Sequence, residues 1–102
     1  MPAHEKQHNL MRYCRIQILG KVQGVGFRFF TKMKADELGL LGTIENQEDG
    51  SVVIYAYGDE RLIIHFNSWC KYGSPASRVE EVIIKDLDVE EGVEYKDFSI
   101  LR

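Results

Sequence analysis

The chain has 102 residues, 44% hydrophobic and 28% charged, which is the composition of one small globular domain with a modest core. A net charge of −3 lacks the basic excess that a nucleic-acid partner usually requires, and no apolar run reaches the length of a membrane helix. Two cysteines, Cys14 and Cys70, are too few for a disulfide scaffold and are expected as buried free thiols.

Residues 1–11 are expected to form a flexible tail ahead of one domain, 12–102. The stretch Met1–Asn9 is polar and lacks the apolar segment of a secretion signal, so a cytoplasmic protein is expected. His4 and His8 have helical spacing, but with no third ligand they predict no metal site. From Tyr13 to Leu19 the pattern alternates, placing Cys14, Ile16 and Ile18 on the buried face of a strand. A helix is predicted from about Phe27 to Leu38, stopped at Gly39, with Phe27, Phe30, Met33 and Leu38 on its apolar arc. Strands follow over Leu41–Gln47 and Ser51–Tyr57, joined through the Asp49-Gly50 turn. Asp59 is a natural N-cap for a second helix whose stripe is Leu62, Ile63, Phe66, Trp69 and Cys70, with Asn67 facing away. That helix is expected to end at Gly73, before Ser74-Pro75. Val79–Leu87 and Tyr95–Leu101 complete the strands, separated by an acidic turn that lacks the glycine of a calcium loop. The order β-α-β-β-α-β, with a short C-terminal strand, predicts an α+β ferredoxin-like split βαβ sandwich. It would consist of one antiparallel sheet with two helices on one face.

Between the first strand and the first helix lies Gly20-Lys-Val-Gln-Gly-Val-Gly-Phe-Arg28. Three glycines here permit backbone angles closed to other residues, and a helix N-terminus presents unpaired N–H groups to an anion. Arg28 adds a planar guanidinium suited to phosphate or carboxylate oxygens. On the residues alone the segment is either an oxyanion cradle or an ordinary glycine turn. It is not a nucleotide P-loop, which needs G-K-[ST], and Phe29 replaces the third glycine of a dinucleotide fingerprint. An echo of the aromatic RNP1 strand in Gly24–Phe30 fails because this stretch runs into a helix.

Gly20–Arg28 resembles the acylphosphatase signature G-x-V-Q-G-V-x-F-R at every fixed position, and Gly39–Gly50 resembles that family's second block. One departure is Thr43, where many members carry tryptophan. The resemblance implies the same ferredoxin-like fold and an enzyme hydrolysing acyl phosphates to carboxylate and phosphate by in-line attack of water. It further implies that Arg28 binds the phosphate, together with the backbone amides of Gln23, Gly24, Val25, Gly26 and Phe27. Asn46 then orients the attacking water, with no metal and no cofactor. The expected partner is a small-molecule substrate, with no nucleic acid and no membrane, and the expected state is a monomer. The alternative reading is a module that binds acyl phosphate, carbamoyl phosphate or another small anion without turnover. Chemistry agrees with the implied substrate. An asparagine is a poor general base, and with no acid in reach only a good leaving group such as a carboxylate should depart.

Overall fold

A computed structural model describes residues 10–102. Its elements are β1 (Met11–Lys21), α1 (Phe27–Glu37), β2 (Leu41–Asn46), β3 (Val52–Asp59), α2 (Glu60–Tyr72), β4 (Arg78–Leu87) and β5 (Phe98–Leu101), with a 3₁₀ turn at Val89–Gly92. The sheet order is β4-β1-β3-β2-β5. Helices α1 and α2 each cross between parallel strands separated by a third, which is the split βαβ arrangement. No helix among the described residues is long and apolar enough to cross a membrane.

The core forms because the strands alternate. Cys14, Ile16 and Ile18 of β1, Ile44 of β2, and Val52, Ile54 and Ala56 of β3 point to one face. There they meet Phe27 and Ala35 of α1 and Ile63, Phe66 and Cys70 of α2. Both thiols are free and buried, as expected. Asp59 caps α2 by accepting from the Arg61 backbone N–H at 2.8 Å.

Four expectations are corrected. The sheet is mixed, because β5 runs parallel to β2. β4 and β5 form opposite edges, so the chain between them crosses the open sheet face, where Gly92 lies against Tyr57 and Tyr13, and arrives alongside β2 in the same direction. The buried stripe of α1 is Phe27, Thr31 and Ala35, whereas Phe30 and Met33 are exposed. Small residues let α1 approach the sheet, and the Thr31 hydroxyl is satisfied by donating to the Phe27 carbonyl at 2.7 Å. On α2, Asn67 is buried and Leu62 is partly exposed. Finally, Met11 already pairs with Asp59, and the Leu10 carbonyl accepts from Glu60 N–H, so ordered structure begins ahead of residue 12. The remainder of the expected tail, with His4 and His8, lies outside the described residues.

β5 is only four residues long, and Phe98 is its one buried residue. Phe98 is 1% exposed and packs edge-on against Phe66, ring centroids 6.3 Å apart. Phe98→Ala is expected to cost about 3–5 kcal/mol, read by urea denaturation.

Candidate active site

Val22 is buried and pins the end of β1 to the core. Beyond it Gly24 and Gly26 adopt left-handed angles, φ 75° and 79°, which a residue with a Cβ adopts only under strain. Nothing lies within 4 Å of a Cβ placed on Gly24, so conformation and not crowding requires glycine there. The second turn feeds directly into α1. Gly26 is its N-cap and offers no side-chain cap, and the first helical turn carries no acidic residue. The N–H groups of Gly24, Val25, Gly26, Phe27 and Arg28 therefore find no acceptor among the described residues. They lie at or beside the positive end of an 11-residue helix.

Arg28 is the second residue of that helix. Its Nη1 donates to the Leu101 carbonyl at 3.2 Å, and it pairs with no carboxylate among the described residues. The parallel register sets Leu101 across from Glu45, the neighbour of Asn46. A second tie comes from the other end of the loop. Gln23 Nε2 donates to the carbonyls of Gln47 and Ser51 at 2.7 and 2.8 Å. Gln47 follows Asn46, and Ser51 precedes Val52, the residue opposite Asn46 across the hairpin. The glycine loop is thus fastened at one end to the hairpin beside Asn46 and at the other to β5, the strand paired with β2.

Asn46 closes β2 on the same face as Gly42 and Ile44. Its Oδ1 is buried and meets no donor among the described residues. The same holds for Asn67 Oδ1 and Ser74 Oγ, and buried polar atoms of this kind are met by a protein donor or an ordered water. Thr43, at the family's frequent tryptophan position, lies on the opposite face across from Tyr55, so it does not border Asn46.

A cavity of about 200 Å³ opens beside the loop, lined by Gly24, Gly26, Phe27, Arg28, Phe29 and Ile100 among others. A roomier one of about 400 Å³ touches Lys21, Asp49 and Glu80 but neither Arg28 nor Asn46. Free donors, not volume, distinguish the site. No group of three or more His, Cys, Asp or Glu among the described residues is arranged to hold a metal. The thiols are poor nucleophiles. Burial pushes Cys14 up to about 11 and raises Cys70 as well.

Sequence reading placed Gln23 among the phosphate donors through its amide and missed the work of its side chain. It also missed the hairpin support. Asp49 accepts from the Ser51 hydroxyl at 2.6 Å and its backbone N–H at 2.9 Å, which holds its carboxyl below the usual range. Gln17 in turn donates to the Ser51 hydroxyl at 3.2 Å. The Asp49-Gly50-Ser51 order carried that signal as an Asx turn.

The family model described as Acylphosphatase matches residues 14–100. The chain belongs to the acylphosphatase family. An acylphosphatase of Shewanella amazonensis is 44% identical over 92 residues, covering 90% of this chain and 99% of that protein. The crystal structure of acylphosphatase from Bacillus subtilis matches with a TM-score of 0.83 at 40% identity, over 91% of this chain and 100% of that one. The structure of an acylphosphatase from Coxiella burnetii also scores 0.83, at 33% identity over 99% of this chain and all of that one. In this member of the acylphosphatase family the Gln23 side chain hydrogen-bonds the loop to the hairpin, so Gln23→Ala is expected to cost about 1–3 kcal/mol in urea unfolding. A loss under about 0.5 kcal/mol would mean that the two carbonyls do not depend on Gln23.

Proposed function

We propose that this protein hydrolyses the carboxyl–phosphate bond of small acyl phosphates, with Arg28 and the 23–28 loop holding the phosphoryl group and Asn46 positioning the water. One observation carries the reading. Among the described residues, five N–H groups without an acceptor and an arginine without a carboxylate partner lie on a loop that Gln23 hydrogen-bonds to the strand end bearing Asn46, whose Oδ1 is buried without a donor. Membership of the acylphosphatase family supports the same reaction class.

The chemistry follows from charge. A phosphoryl dianion enters the cradle, where backbone donors and the guanidinium need no reorganisation to meet its oxygens. Transfer through a loose transition state spreads charge over the equatorial oxygens, and those donors stabilise it as it develops. Asn46 Oδ1 accepts from the water and aims its lone pair at phosphorus. The water oxygen bonds to phosphorus as the bond to the acyl oxygen breaks. The carboxylate leaves with its electron pair, and the water's protons pass to phosphate and solvent. A carboxylate, with a conjugate acid of pKa near ~4, departs without a proton donor. An alkyl alcohol would not, so alkyl phosphate monoesters should remain intact. All of these groups come from one chain.

The test is hydrolysis of an aryl acyl phosphate by the wild type, Arg28→Ala and Asn46→Ala, in chelator. The wild type should turn over. Arg28→Ala should lose on the order of 10²–10³ in kcat/KM, through both binding and rate. Asn46→Ala should lose about 10²-fold in kcat with KM nearly kept, because its water matters in the transition state. Full activity of Asn46→Ala would return that residue to a hairpin role. A wild type that binds phosphate but leaves the substrate intact would make the domain a binding module.

A further inference from the structure

Two cations on one row of α1 reach β5. Arg28 donates to the carbonyl of Leu101, the last residue of the strand, at 3.2 Å, and Lys32 Nζ donates to that of Phe98, the first, at 2.8 Å. The two side chains are four residues apart and leave the same face of the helix. The Phe98 carbonyl is free of the sheet pairing for a geometric reason. The Asp97 carbonyl accepts from the Gly42 N–H at 2.9 Å on the β2 side. Successive carbonyls of a strand alternate in direction, so that of Phe98 turns to the outer edge of the sheet. Asp36 holds the same Lys32 ammonium at 2.9 Å. An exposed i, i+4 ion pair of that kind adds little to a helix, and it does not account for the bond across to β5.

We propose that Lys32 is a positioning residue for phosphate binding, fixing β5 against α1 so that the Leu101 carbonyl presents the Arg28 guanidinium to the cradle. The inference rests on the reading of Arg28 as the phosphate ligand. The Phe98 ring anchors β5 to α2, through Phe66. Arg28 belongs to the other helix. Among the described residues, side-chain hydrogen bonds join β5 to α1 only at Lys32 and at Arg28 itself. Helix and strand run antiparallel, since the earlier residue of α1 reaches the later residue of β5. Four residues of helix cover ~6 Å and three of strand ~10 Å. Two bonds of that spacing fix the offset between the elements, which one bond would leave free to pivot. A long arginine side chain loses rotamer freedom when it binds an anion, and one already held by a placed carbonyl has less to lose.

The experiment is a double-mutant cycle read by the dissociation constant of inorganic phosphate, from amide chemical shifts. It uses the wild type, Lys32→Met, Arg28→Ala and the double variant, with Lys32→Arg as the conservative replacement. Lys32→Met should weaken phosphate binding about fivefold, and Lys32→Arg should recover most of that loss. In the Arg28→Ala background Lys32→Met should add no further loss, because Lys32 acts through the arginine. Full affinity in Lys32→Met overturns the proposal. So does an equal loss with and without Arg28, which is what a missing positive charge or a general loosening of the domain would give. If Arg28→Ala itself binds phosphate as tightly as the wild type, the reading of Arg28 fails and takes the positioning role with it. If Arg28→Ala binds weakly and Lys32→Met does not, only the role of Lys32 fails.

Discussion

Two hydrogen bonds from one side-chain amide, Gln23 Nε2 to the carbonyls of Gln47 and Ser51, set the geometry on which the rest of the site depends. A glycine-rich loop has large conformational freedom, and leaving its N–H groups unpaired offers nothing to confine it. The loop is confined instead from its flanks. Val22 is buried before it, Phe27 is buried after it, and Gln23 and Arg28 fasten it sideways. The donors stay free because everything around them is fixed.

That arrangement explains why β5 matters in a domain whose four other strands already complete the split βαβ pattern. Arg28 uses one guanidinium nitrogen on the Leu101 carbonyl, leaving the others for a ligand. Leu101 is where it is because β5 lies parallel to β2, and β5 is held by Phe98 against Phe66. The strand that looked like an appendage is the support of the arginine. The absence of any acidic residue in the first turn of α1 completes the electrostatics, since a carboxylate there would compete with an anionic ligand.

Much of this was legible in the residues. Alternation in β1 gave its buried face, and Gly24, Gly26 and Arg28 announced a turn with free donors. Other features depend on contacts between distant parts of the chain. The parallel pairing of β5 follows from a crossing over the open sheet face, which no local pattern encodes. The buried stripe of α1 was misread because two exposed side chains, Phe30 and Met33, are more apolar than Thr31 and Ala35, which are buried. Helix periodicity assigns faces by hydrophobicity, while close packing on a sheet favours small residues. Gln23 was read through its backbone, and its side-chain role could be found only once the hairpin was in place. The family resemblance named Arg28 and Asn46, and the structure ties the loop that carries Arg28 to the hairpin through Gln23.

The central claim is that the N–H groups of residues 24–28 and the Asn46 amide form one anion and water site. Titration of isotope-labelled protein with inorganic phosphate, followed by amide chemical shifts, tests it most directly. Saturable shifts should be largest at Gly24 to Arg28 and at the Asn46 side-chain amide. Largest shifts around Lys21 and Glu80, or a response that does not saturate, would contradict the account.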